Sequence, residues 1–195
     1  MSIVITKKYG ALPTREREIL RYAAARCDTA EANELLRSVT EEALPHIQNS
    51  VCYIELPLTL SGRVCDFGHF TVESDSLTKN LAGCKKVILF AATVGLGIDR
   101  LIRKYSTVSP SRALMLQAYG TECIEVLADT FCLEIEKIYE KTKNRFSIGY
   151  GDTPLTAQRE IFKILDPYGK IGITLNESML MTPSKSVTAF VGIEK

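Results

Sequence analysis

The sequence predicts an α+β fold in one domain, a twisted and mainly antiparallel sheet with flanking helices. Three observations lead there. Helical periodicity governs the stretches 14–45 and 110–140, and runs rich in β-branched and aromatic residues fill 51–72. No internal repeat or low-complexity linker divides the 195 residues, a length that suits one domain. Residues 1–48 read as an N-terminal helical segment, and 50–195 as the sheet with its remaining helices.

Thr14 is placed to cap the first helix, with Glu16 and Glu18 in its positive first turn and Ile19, Leu20 and Ala23 on its inner face. A second helix is expected from Asp28, whose carboxylate pairs with Glu31 in a capping box. Its stripe Ala32, Leu35, Leu36, Val39 and Ala43 stops at Pro45 and reads as core packing. Val51–Leu60 and Val64–Val72 suggest an antiparallel pair about a Ser61-Gly62 turn. A short helix over Ser76–Leu81 ends at Gly83, the glycine expected just past a helix. Val87–Thr93 is apolar on both faces, as a buried strand requires, and a helix follows over Leu96–Tyr105. After Ser109-Pro110 a long helix runs to about Glu140, with Leu114, Ala118, Cys123, Val126, Phe131 and Ile135 at helical spacing. Beyond an irregular loop, Asn144–Pro154, come a helix over Thr156–Leu165, a strand over Ile171–Leu175 and a terminal strand over Val187–Ile193.

Composition excludes several classes. The 24 basic and 23 acidic side chains give a net charge of +1, which is no footprint for nucleic acid. The most apolar run, Val87–Leu96, is half the length a bilayer demands, and MSIVITKKYG does not read as a secretory signal, so a cytoplasmic protein is expected. Six scattered cysteines form no Cys-x-x-Cys pair and only His46 and His69 could join them, so reduced core thiols are expected and no metal.

Two stretches stand out as chemistry. Ala91-Ala92-Thr93-Val94-Gly95-Leu96-Gly97 runs from strand through glycines into a helix. It lacks the third glycine of a dinucleotide fingerprint and the Lys-Ser/Thr of a P-loop, so glycines chosen for close packing explain it better than a phosphate cradle. Arg145-Phe146-Ser147-Ile148-Gly149-Tyr150-Gly151-Asp152 sets a guanidinium, able to grip a carboxylate through two hydrogen bonds, beside a tyrosine between two glycines. On composition alone, an equal alternative is a surface turn with Arg145 solvated and Tyr150 covering the core.

These residues carry a resemblance. AATVGLGIDRLIRK, the Arg145-x-x-x-Gly149-Tyr150 loop, and Leu175-Asn176-Glu177-Ser178-Met179-Leu180-Met181-x-Pro183 leading into Ser186-Val187-Thr188 occur in register. Together they resemble the activation (reactivation) domain of cobalamin-dependent methionine synthase, in its free-standing bacterial form. The resemblance implies that fold and an S-adenosylmethionine site in which Arg145, Phe146, Ser147, Ile148, Gly149, Tyr150 and Gly151 form the binding loop. It adds Asp129 from the long helix, and it makes Glu177 and Ser178 site-adjacent, with a capping or turn role as the alternative. Arg145 would hold the methionine carboxylate, Asp129 the ammonium, and the backbone of 146–151 the adenosine. Ile148 stands where many relatives have proline, and neither the extra N-terminal acidic contact nor the later tyrosine segment of the fused domains has a clear counterpart here.

The implied activity is reactivation. An electron from flavodoxin or ferredoxin reduces cob(II)alamin on the partner, and the cob(I)alamin takes the sulfonium methyl of S-adenosylmethionine. The cofactor brings the nucleophile, so no general base or nucleophilic side chain is expected in this chain. With no cobalamin-binding segment in the sequence, the chain is expected to act in trans on the cobalamin-binding module of methionine synthase, as a component of that methyltransferase system. Two alternatives remain at this point: a non-catalytic interaction protein, and an activator of another corrinoid methyltransferase.

Overall fold

A computed structural model of the chain describes residues 3–24 and 29–194. In chain order it opens with strand β1 (Ile5–Lys8), helix α1 (Glu16–Tyr22) and helix α2 (Ala30–Ala43). Strands β2 (Ser50–Pro57), β3 (Thr59–Ser61), β4 (Val64–Asp66) and β5 (Thr71–Glu73) follow, then α3 (Asp75–Asn80) and β6 (Cys84–Thr93). Next are α4 (Gly97–Tyr105), α5 (Pro110–Tyr139) and the two-residue strand β7 (Phe146–Ser147). The chain closes with α6 (Gln158–Leu165), α7 (Pro167–Ile171), β8 (Thr174–Leu175), β9 (Met181–Thr182) and β10 (Ser186–Glu194).

The main sheet is five-stranded, in the order β1-β2-β6-β10-β7, and every pair in it is antiparallel. Helices flank it, which is the expected α+β architecture. The centre is apolar on both faces because both faces are covered. Ile88, Phe90 and Ala92 of β6 point into a layer built by α1, α2, α4 and α5. Val87, Leu89 and Ala91 point the other way, against α3, α6 and the small sheet β3-β4-β5.

The long helix follows the expected bounds closely, and Pro110 occupies its first turn, where a missing N–H costs nothing. Of its expected inner stripe, Ala118, Cys123, Phe131 and Ile135 are buried and Val126 is half-buried. Traced back from Leu127 in steps of three and four, the buried stripe runs through Cys123, Gly120 and Leu116 to Ala113, and Leu114 is left exposed.

Other expectations need correction. Arg15, not Thr14, precedes α1, and no side chain of the segment caps it. The buried Glu122 of α5 does that work, accepting from the Arg15 amide at 3.1 Å and from its Nε at 2.6 Å. Asp28 lies outside the described residues. Thr29 caps α2, its Oγ1 accepting from the Ala32 amide at 3.2 Å. The run 51–60 does not form one hairpin arm. Pro57 lacks the N–H to continue the ladder, so β2 joins the main sheet and only β3 turns back on β4. The second run breaks at Gly68, whose φ is +81°, and Phe67 and Phe70 turn inward onto Phe190. Residues 167–171, partly expected as strand, are helical. Asp166 caps that helix, Pro167 sits at its first position and Gly172 ends it at φ +73°, leaving only Thr174 and Leu175 to pair as strand. Strand β1 lies inside the stretch expected to be helical. Its side chains are all exposed, so its apolar pattern carries no signal.

Candidate functional site

The sheet ends on one side at β7, whose two residues pair with Ala189 and Phe190 of β10 and leave the other edge open. Helix α5 comes to that edge from one face and α3 from the other. Two clefts open there. The first, about 700 Å³, is lined by Ser76, Lys79 and Asn80 of α3, Glu125 of α5, Asn144 to Ser147, Tyr150 and Val187. The second, about 570 Å³, is lined by Asp129, Cys132, Leu133 and Glu136 of α5 and by Thr142 to Arg145. Arg145 and Asn144 belong to both.

Arg145 is the partition. Only 22% of its side chain is exposed, and its Nη2 is hydrogen-bonded to Glu125 and lies 3.2 Å from Asp129 Oδ1. The two acids are four residues apart on α5 and therefore share a face one turn apart. Both contacts fall on Nη2, and among the described residues Nε and Nη1 of the guanidinium have no hydrogen-bond partner, so they can serve a further acceptor.

The loop after Arg145 is shaped by its glycines and tied to α3. Asp152 accepts from Ser74 Oγ at 2.6 Å, the Asp75 amide at 2.8 Å and the Ser76 amide at 3.0 Å. These bonds, that from Ser74 foremost, hold its carboxyl well below the usual carboxylate range. At Gly151, φ is +60° and a Cβ would fall 2.5 Å from Ser76 Oγ, so no other residue lets the loop lie this close to α3.

Phe146 and Ile148 send their side chains into the core, while Tyr150 is 72% exposed and rests edge-on against Phe146 with ring centres 5.9 Å apart. Tyr150 thus walls the first cleft and does not cover the core. Ile148, Gly149 and Gly151 line neither cleft; they set the path of the loop.

Of the residues singled out in the sequence, the structure gathers Arg145, Phe146, Ser147, Tyr150 and Asp129 around the two clefts. It does not bring Glu177 and Ser178 there: both are exposed on the turn between β8 and β9, which Asn176 closes by accepting from the Leu180 amide at 2.9 Å. The glycines at 95 and 97 serve packing, since a Cβ on Gly97 would lie 2.3 Å from the His46 carbonyl oxygen. Sequence reasoning missed Ser76, Lys79, Asn80, Glu125, Asn144 and Val187. Glu125 alone had a signal, its position one helical turn before Asp129. Asn80 donates from Nδ2 to the Asn144 carbonyl at 3.3 Å, which fixes its amide and leaves its buried Oδ1 without a donor among the described residues.

Comparison with known proteins now decides the family. Residues 70–195 match the family described as the vitamin B12 dependent methionine synthase, activation domain. The chain belongs to this family. The crystal structure of the MetH reactivation domain bound to AdoHcy has the same fold, at a TM-score of 0.72 and 15% identity, over 98% of this chain and 78% of that one. No curated protein sequence matches the chain. As an activation-domain member, the chain carries its cleft at the open sheet edge with no helix among the described residues long and apolar enough to cross a membrane. Among those residues, no three His, Cys, Asp or Glu side chains are grouped to hold a metal ion.

Proposed function

We propose that this activation domain binds S-adenosylmethionine across the two clefts and presents its methyl group for reductive reactivation of cobalamin carried by a partner. The observation that supports this most is the placement of Arg145, shielded from solvent, shared by both clefts and flanked by two acids. A matching relative was crystallised with AdoHcy, the demethylated form of the same ligand.

The residues present fit the ligand's chemistry. The free Nε and Nη1 of Arg145 suit the amino-acid carboxylate, and Asp129 or Glu125 suits the ammonium. Tyr150, Phe146 and Val187 give the first cleft the apolar wall an adenine needs. Ser76, Asn80 and Asn144 are at hand for ribose hydroxyls. Bound there, the sulfonium supplies an electrophilic methyl group, and the corrinoid of the partner supplies the nucleophile. The role of this chain is to hold and orient, which is how a protein converts an encounter into an aligned reaction.

The partner is read as the cobalamin-binding module of methionine synthase or a related corrinoid protein, reached in trans, with flavodoxin or ferredoxin as electron donor. Calorimetric titration with S-adenosylmethionine tests the site. Wild type binds, and Arg145→Ala weakens binding about 10- to 100-fold, the range for losing a charge-assisted pair of hydrogen bonds. An Arg145→Ala protein that binds as tightly as wild type contradicts the assignment.

A further inference from the structure

The loop ahead of β10 delivers a second cation to the helix that carries the site. Ser184 is fixed by its amide, which donates to Asp99 Oδ2 at 2.7 Å, and the Lys185 carbonyl accepts from the Val94 amide at 3.2 Å. The Lys185 side chain then lies across α5. A Cβ on Gly120 would fall 3.0 Å from its Cγ and 3.1 Å from its Cε, as well as 2.8 Å from Cγ2 of Ile98. Its Nζ ends on Thr121 Oγ1 at 2.9 Å, and Thr121 gives its own hydrogen to the Gln117 carbonyl at 2.9 Å. No carboxylate among the described residues forms an ion pair with this ammonium, and Asp99, the acid that acts on it at longer range, is taken up by Ser184.

Nothing inside the chain offsets what this arrangement costs. Burial pulls the Lys185 pKa below the usual lysine range, with Asp99 opposing. A glycine inside a helix weakens it relative to alanine, and ordering a lysine stem loses rotamer freedom. Thr121 uses one of the three N–H donors on Nζ, and the other two have no acceptor among the described residues. The place of the ammonium supplies a reason. Thr121 stands one helical turn before Glu125, and Lys185 stands two residues before Val187 and so on the same face of the strand. Glu125 and Val187 both line the first cleft, so Lys185 is held at its rim, one turn of α5 before the acids that Arg145 grips.

We propose that Lys185 is a docking contact for the partner's cofactor, its ammonium donating to an amide carbonyl at the edge of the corrin when the macrocycle settles over the first cleft. The inference rests on the proposed function above. A methyl donor bound in the cleft must be met by the metal of the corrin, and the macrocycle is much wider than a methyl group. Its edge therefore comes down on the residues that ring the mouth. That edge carries acetamide and propionamide arms, whose carbonyl oxygens accept hydrogen bonds and bring no charge. A lysine paired with an acid would have to break that pair to reach them, and Lys185 has none to break. Gly120 and Thr121 hold the stem in place beforehand, so docking orders little that is not ordered already.

The test is a single-turnover assay. The cobalamin-loaded module of methionine synthase is reduced with titanium(III) citrate, mixed with S-adenosylmethionine and increasing amounts of this chain, and methylcobalamin is followed by its absorbance. Lys185→Met keeps the stem and removes the charge. It raises the half-saturating concentration about three- to twentyfold, changes the limiting rate little, and leaves the dissociation constant for S-adenosylmethionine at the wild-type value. Lys185→Arg restores most of the loss, and the effect persists at about 0.5 M salt because the acceptor is neutral. An unchanged half-saturating concentration in Lys185→Met overturns the docking role and leaves the S-adenosylmethionine site standing. An equal loss of S-adenosylmethionine binding overturns it as well, by making Lys185 part of the donor site. An effect abolished by salt overturns the amide contact in favour of a carboxylate on the partner. A wild-type chain that supports no methylation at saturating donor overturns the proposed function and this inference with it.

Discussion

Asp152 shows how one side chain sets the geometry of the whole loop. It is the joint between the glycine-tyrosine segment and α3; its hydrogen bonds from Ser74, Asp75 and Ser76 all stabilise the ionised form, and Arg63 adds a fourth donor at 3.4 Å. Its folded pKa lies below the unfolded value, so its contribution is complete above about pH 4 and fades as the pH falls further. Asp152→Asn is expected to release the amides of Asp75 and Ser76 to faster hydrogen exchange and to weaken ligand binding; unchanged protection would show that the loop is held by other means. Gly151→Ala acts at the same joint by steric conflict with Ser76, and is expected to reduce affinity with little loss of global stability. Some of this was legible in the sequence. Arg145, Gly149 and Tyr150 are neighbours in the chain, and Asp129 was named only through the family resemblance. Ser76, Lys79 and Asn80 were not legible, because they reach the cleft only once α3 packs beside a loop some seventy residues further on, a tertiary placement no local pattern encodes.

At the scale of elements, α5 joins core to site. Its buried face carries Phe131, which packs against Tyr53 and Phe90 with ring centres 5.1 and 4.8 Å apart. The same helix presents Glu125 and Asp129 to the sheet edge. Phe131→Ala is expected to cost about 3–5 kcal/mol, read as a lower urea midpoint with the same slope; a loss under 1 kcal/mol would mean that α5 is not anchored there. Glu42 ties α2 to α4 and α5. Burial alone would raise its pKa, but hydrogen bonds from Arg112, Lys104 and Tyr105 bring it down to about 2. Because the folded pKa is depressed, this stabilisation is present above about pH 4.3 and is lost as the pH falls toward 2. Thermal melts between pH 5 and 2 are expected to be steeper in pH for wild type than for Glu42→Gln, and parallel curves would contradict that role. The helices α1 to α6 and the strands β6 and β10 were legible in the sequence, because helical periodicity, end signals and doubly apolar runs are local patterns. Strand β1 and helix α7 escaped, the first because an edge strand exposed along its length has no hydrophobic period, the second because its cap and stop residues span only five helical positions.

The whole molecule places the site where its layers run out. At β7 the sheet is two residues long, and the helices of both faces converge on one edge, so the clefts exist only when both layers are assembled. Ligand occupancy should therefore stabilise the entire fold. At a hundredfold excess over the dissociation constant the gain is about 2.7 kcal/mol, a rise in Tm of about 5–10 °C for a chain of this size, reduced to about 0.4–1.4 kcal/mol in Arg145→Ala at the same ligand concentration. The most direct test is a map of amide shifts by NMR as S-adenosylmethionine is added. The residues expected to move are Ser76, Asn80, Glu125, Asp129 and the segment from Arg145 to Tyr150, from both sides of the sheet edge at once. Shifts confined to another surface, or none at saturating ligand, would contradict the account.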